Sequence, residues 1–225
     1  MISKNIDYPK ILGEIETSGV HIIPNAFNSD FCNSIINWFD SNYRTLVHES
    51  HYDATEIRIY NSEHLNHDIL KFKEYSDNLL TEIFKSTMKS YSILAIRNNK
   101  IAADLHLDNR WHIDSFRQQI KTFLFLNDTK IDGGALEYFP KSNSYHFKLK
   151  MTLKGLYFKF SDVIRGTRAY TCIPDSIVES LKNDSFMPNK VIVKAGTLVI
   201  ADTSILHRAS PCIAGCRYAL TSYYR

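Results

Sequence analysis

From about Tyr91 onward the chain is a succession of short β-type runs broken by turn residues: YSILAIR, IKTFLFLND, ALEYFP, KVIVKAG, TLVIADT and RYALTSYYR. Runs of this length, rich in β-branched and aromatic residues, read as strands. Asp132-Gly133-Gly134 and Ala195-Gly196 supply the permissive backbone that tight reversals need. Helical periodicity is confined mainly to the first half. Ser29-Asp30 reads as a cap before FCNSIINWFDSN, where Phe31, Ile35 and Phe39 share one stripe, and Ile69, Phe72, Leu79, Leu80, Ile83 and Phe84 mark a second, longer helix. Helices first and many short strands afterwards predict a mainly β structure with flanking helices, either a sandwich or a jelly-roll barrel.

Length and composition bound the rest. With 225 residues, 44% of them hydrophobic, and no repeat, low-complexity tract or linker, the chain reads as a single domain spanning 1–225. The segment from about 145 to 190 is less regular, with a short helix expected at DSIVESLKN, and reads as an insertion on the substrate side. A net charge of +3, with basic residues scattered among acidic ones, gives no footprint for nucleic acid or an anionic membrane. Charges interrupt the N-terminal apolar positions, so neither a secretory signal nor a membrane span is expected and a cytoplasmic location is the default. Four cysteines, Cys32, Cys172, Cys212 and Cys216, without a CxxC pair fit reduced thiols better than a disulfide framework or a zinc site.

Three His-x-Asp pairs occur, His51/Asp53, His106/Asp108 and His112/Asp114. Nine histidines and fifteen aspartates would give roughly 0.6 by chance, so context must choose among them. In an extended chain residues two apart face the same way, and an imidazole and a carboxylate so placed can reach one object. A mononuclear iron(II) site of the two-histidine, one-carboxylate type needs such a pair plus a distant histidine, and an adjacent group must then hold the co-substrate. His207, 95 residues after His112, follows the strand TLVIADT, and Arg217 opens the last strand ten residues later. Its guanidinium offers a bidentate fork to a carboxylate, and Ala219 and Thr221 on the same strand face leave room beside it. Only His112/Asp114 is followed by a strand, a Gly-Gly turn and a returning strand ending in proline, the order a small barrel would use. His106 and Asp108 are kept as pocket-lip candidates, and His51/Asp53 reads as solvated surface.

These residues carry a resemblance. WHIDSFRQQIKTFLFLNDTKIDGGALEYFPKSN and KAGTLVIADTSILHRASPCIAGCRYALTSYY, with the opening GVHIIPNAFNSDFCNSIINWFD, resemble the phytanoyl-CoA dioxygenase-like branch of iron(II)/2-oxoglutarate oxygenases. The resemblance implies a double-stranded β-helix, a cupin-like jelly roll, and an enzyme using Fe(II), 2-oxoglutarate and O2. By position His112, Asp114 and His207 match the iron ligands and Arg217 the arginine for the far carboxylate of 2-oxoglutarate. Lys121 is a further candidate for a co-substrate contact. His106, Asp108 and Arg208, with Tyr157, Arg165 and Arg168 of the insertion, are candidates to meet substrate. Where the family often has Pro-Gly-Ser-His, this chain reads Pro140-Lys141-Ser142-Asn143, which bears on substrate and leaves the metal set intact. Asp114 stands where related halogenases carry a small residue, which favours hydroxylation or another oxidation without halogen; the expected substrate is a small or carrier-bound metabolite. Desaturation, cyclisation or demethylation on the same centre, and a cupin-like binding or sensor protein without turnover, are the alternatives.

Overall fold

The computed structural model describes residues 6–46, 50–52 (backbone), 55–100, 111–153 and 173–224. Three helices come first. α1 (Tyr8–Ser18) starts where the Asp7 carboxylate accepts from the Lys10 N–H at 3.0 Å and a proline sits in the first turn, and it buries Ile11 and Ile15. α2 (Ser29–Asn42) is capped by Asn28, one residue before the Ser29-Asp30 expected from sequence, and turns Cys32, Ile35 and Phe39 inward. α3 (His67–Phe84) is capped by Asn66, which accepts from Asp68 and Ile69, and buries the expected stripe except for its last residue, Phe84, which packs half-buried.

Among the described residues ten strands follow or interleave: β1 (Val20–Ile23), β2 (Ser50–Tyr52), β3 (Glu56–Ile59), β4 (Ser92–Asn98), β5 (Ile120–Phe125), β6 (Leu136–Tyr138), β7 (Asn189–Val191), β8 (Thr197–Asp202), β9 (His207–Ala209) and β10 (Arg217–Tyr223). Seven form one antiparallel sheet in the order β1-β8-β5-β10-β4-β3-β2, and three form another in the order β7-β6-β9. α4 (Tyr145–Leu153) and α5 (Asp175–Leu181) lie between β6 and β7, the second of them on the expected DSIVESLKN.

Alternation along the large sheet divides its residues between two layers. Leu124, Leu198, Ile200 and Leu220 pack with the stripes of α1 to α3 in the main core. Phe125, Val199 and Ala201 point the other way and pack with Leu136, Tyr138 and Val191 of the small sheet. Residues between these two sheets therefore face a shared interior, which is the jelly-roll arrangement expected from the strand pattern. The polar segment read as solvated surface around His51 contributes an edge strand, with His51 opposite Arg58; Asp53 lies outside the described residues. Among the described residues no helix is long and apolar enough to cross a membrane.

Candidate metal centre

The two histidines expected to act together are held by their own backbones. His112 and His207 form an antiparallel bridge in which each N–H donates to the other's carbonyl at 2.9 Å. Directly opposed residues of such a pair project to the same side, and the ring centroids are 4.4 Å apart. Asp114, two residues on, is fixed by its N–H donating to the Thr203 carbonyl at 3.0 Å. The turn supplying that carbonyl is organised by Asp202, whose Oδ1 accepts from the Gln119 and Ser204 N–H groups at 3.1 and 3.0 Å. Ser142, fully buried, donates to the Phe139 carbonyl and accepts from the Leu206 N–H at 2.7 Å, which fixes the chain one residue before His207.

Imidazole nitrogens and a carboxylate oxygen of His112, Asp114 and His207 lie within 4.8 Å of one another. His207 Nδ1 is 2.9 Å from the Ile205 carbonyl; a carbonyl only accepts, so Nδ1 carries the proton and the Nε2 lone pair is turned to the site. That Nε2 is 3.6 Å from Asp114 Oδ2, and His112 Nε2 is 3.9 Å from Asp114 Oδ1. Each separation is too long for a hydrogen bond and suits three donors converging on a cation between them.

Electrostatics agree. Burial, reinforced by the neighbouring His112, pushes His207 down to about 3, so it is neutral and ready to donate its lone pair. Burial alone would raise the Asp114 carboxyl, but the Lys121 ammonium beside it outweighs burial and holds the group well below the usual carboxylate range. Asp114 Oδ2 is buried without a hydrogen-bond donor of suitable geometry, its charge met by Lys121 Nζ at 2.7 Å. Two imidazole nitrogens and one carboxylate oxygen, arriving from one side, are the donor set for a divalent transition metal.

Two further cations face the same interior. Lys121 on β5 is cross-strand from Tyr223, and its Nζ lies 4.5 Å from that ring's centroid. Arg217, at the other end of β10, is only 9% exposed. No carboxylate reaches ion-pair distance of it among the described residues. Its Nε and Nη2 donate to Asn98 Oδ1 at 3.0 and 2.6 Å, and Nη1 donates to the Gly134 carbonyl. Burial lowers the guanidinium to about 10, which leaves it charged at neutral pH. A buried cation with an unfilled edge and no counter-ion is costly unless an anion joins it.

The remaining candidates divide. Arg208 is a candidate, on the sequence, to meet substrate. Strand alternation turns it away from His207, to the outer face of the small sheet, where it donates to Glu137 Oε2 at 2.6 Å, meets Asp175 at 3.3 Å and stacks 4.6 Å over Trp111. Glu137 is itself buried and also pairs with Lys190 at 2.7 Å. His106, Asp108, Tyr157, Arg165, Arg168 and Cys172 lie outside the described residues, whereas Cys32, Cys212 and Cys216 are free thiols. Asn98 and Asp202 were not singled out from sequence, and Ser142 was named only within the stretch Pro140-Lys141-Ser142-Asn143.

The sequence profile of the phytanoyl-CoA dioxygenase (PhyH) family matches residues 15–216. The chain belongs to that family. No curated protein matches the sequence at a significant level. Among solved structures, the PhyH-family fold described here is similar to the epimerase SnoN in complex with Fe3+, alpha ketoglutarate and nogalamycin RO. The TM-score is 0.69 at 10% identity, over 96% of this chain and 82% of that one. HygX from Streptomyces hygroscopicus, with nickel, 2-oxoglutarate and hygromycin B bound, aligns with a TM-score of 0.63 at 14% identity over 99% of this chain and 87% of its own. A Pseudomonas putida prolyl-4-hydroxylase aligns at 0.58 and 13% identity, over 97% and 98%. The expected double-stranded β-helix architecture is thereby borne out.

Proposed function

We propose that this PhyH-family protein is a non-haem iron(II)/2-oxoglutarate-dependent oxygenase that hydroxylates a small-molecule metabolite, with His112, Asp114 and His207 as iron ligands. The observation that carries the reading is the convergence of three ligand atoms within 4.8 Å, in an interior that also contains a buried arginine, Arg217, with no acidic partner among the described residues. Iron(II) held there supplies, with 2-oxoglutarate and O2, the power to oxidise an unactivated C–H bond, as 2-oxoglutarate becomes succinate and carbon dioxide.

The chain's own contribution is placement. Arg217 receives the far carboxylate of 2-oxoglutarate, and Lys121 adds a positive charge beside the metal ligands for the 2-oxo acid end. The apolar lining from Phe125 and Val199 keeps bulk water from this interior. The segment 145–190, with α4 and α5, is assigned the substrate side of a single domain. Similarity to SnoN, an epimerase, supports a second reading in which the same centre removes hydrogen without transferring a hydroxyl.

Anaerobic addition of iron(II) and 2-oxoglutarate, followed by visible spectroscopy, tests the assignment. A metal-to-ligand charge-transfer band is expected for the wild type and for His106→Ala, and its loss for His112→Ala. Equal behaviour of the two variants overturns the choice of ligand pair. Succinate release with a panel of small metabolites separates an oxygenase from a cupin-like binding protein, which would release none.

A further inference from the structure

Arg217 is held in a specific orientation by a row of polar residues that crosses three strands. Glu56 on β3, Asn98 on β4 and Arg217 on β10 are cross-strand neighbours, since Asn98 pairs with Glu56 on one side and Arg217 on the other. Side chains in register on adjacent strands lie on one face, here the interior one. The Asn98 amide is used at both ends: Nδ2 donates to Glu56 Oε2 at 3.1 Å, and Oδ1 accepts from Arg217 Nε and Nη2. The Glu56 carboxylate oxygen accepts from Nδ2, which leaves Oδ1 as the end of the amide that faces the arginine. Arg58 in turn pairs with Glu56 and holds it.

A guanidinium has five N–H donors. Two converge on Asn98 Oδ1, which closes the side-on edge formed by Nε and Nη2, and one goes to Gly134. Among the described residues, one N–H on each terminal nitrogen has no further acceptor. We propose that Asn98, oriented by Glu56, is a positioning residue that closes one edge of Arg217 and turns its terminal edge toward the far carboxylate of the co-substrate, which makes the site selective for a dicarboxylic 2-oxo acid. This rests on the assignment of Arg217 to that carboxylate. Gly134 completes the clamp from the small sheet. It adopts a left-handed backbone, φ +75°, and a Cβ there would stand 3.3 Å from Cys212 Cβ, so glycine allows its carbonyl to be presented at this close approach.

The test compares two 2-oxo acids on the intact protein loaded anaerobically with iron(II): 2-oxoglutarate, and 2-oxobutyrate, which chelates metal equally but has no far carboxylate. Affinities are read from the charge-transfer band and, on the nickel(II)-loaded protein, by calorimetry, with thermal melting as the check on folding. Asn98→Leu is expected to weaken 2-oxoglutarate about tenfold, the scale of losing two hydrogen bonds to a charged group, and to leave 2-oxobutyrate at its wild-type affinity. Unchanged 2-oxoglutarate binding, or equal weakening of both acids, overturns the positioning role. Arg217→Leu separates this from the assignment beneath it: if that variant still prefers 2-oxoglutarate to 2-oxobutyrate as the wild type does, Arg217 is not the carboxylate's partner and the underlying reading fails. If Arg217→Leu loses the preference and Asn98→Leu keeps it, only the role of Asn98 fails.

Discussion

Lys121 Nζ lies 2.7 Å from Asp114 Oδ2, the same oxygen that faces His207 Nε2 at 3.6 Å. The ammonium thus stands beside the place a metal would take. It keeps Asp114 ionised, which favours metal binding, yet it repels a dication at short range. Lys121→Met is therefore expected to tighten nickel(II) binding in the absence of 2-oxo acid by about tenfold, the scale of a screened unit charge at a few ångströms. The same variant is expected to weaken 2-oxoglutarate. Calorimetry with metal alone, then with 2-oxoglutarate on the metal-loaded protein, checks both signs; weaker metal binding would mean that its service to Asp114 dominates.

Lys141 occupies the left-handed region, φ +65°, at the position where the family often places glycine. A β-carbon in that conformation costs roughly 1–2 kcal/mol, and glycine's larger loss of chain entropy returns part of the difference. Lys141→Gly is expected to stabilise the protein by about 0.5 kcal/mol, seen as a higher urea midpoint with an unchanged slope. Ser142 and its clamp on Leu206 are retained in this variant, so metal affinity should not move.

Arg208 is paired within the small sheet. Lys190, Glu137 and Arg208 form a row across β7, β6 and β9, and the carboxylate at its centre is buried. Burial would raise Glu137, but hydrogen bonds from Lys190 and Arg208 hold it below its ordinary value. Removing one cation leaves a buried charge with a single partner, so Arg208→Ala is expected to cost about 2 kcal/mol, less than a fully buried pair because Lys190 stays. Denaturant unfolding measures this. Affinity for 2-oxoglutarate should remain within about twofold of the wild type; a large selective loss there would return Arg208 to the site.

What was legible in the sequence follows from how local each cause is. His112, Asp114, His207 and Arg217 could be named because the chemistry dictates residue types and chain order, whatever the backbone does between them. Strands β4, β5, β8 and β10 announced themselves through apolar, β-branched runs. β9 did not: His207-Arg208-Ala209 has no strand pattern, and it is extended because β6 and His112 supply its partners. α1 has Asp7 and Pro9 as start signals, but with only Ile11 and Ile15 fully buried its periodicity is thin. α4 was hidden for a related reason, since its buried Lys148 breaks the apolar pattern that would have marked an inward face. Asn98 and Glu56 could not be read at all, because their meaning lies in strand register, which no single run contains.

Lys148 leads to a dependence on pH. It is 2% exposed, its Nζ donates to the Phe116 carbonyl at 2.5 Å, and burial pushes its amine from an ordinary 10.5 down to about 8, against the smaller pull of Asp202. Between these two values the unfolded chain binds a proton that the folded chain does not, so the free energy of unfolding rises with pH there. Below pH 8 the folded protein bears the full cost of a desolvated ammonium, and that cost is relieved as pH climbs toward 10.5. Lys148→Met has no such group. Urea unfolding of both metal-free proteins at pH 7 and pH 10 should therefore show the difference between wild type and variant moving in favour of the wild type by about 2 kcal/mol. A difference that stays constant over this range would mean that the ammonium remains charged inside the fold, with the Phe116 carbonyl enough to hold it.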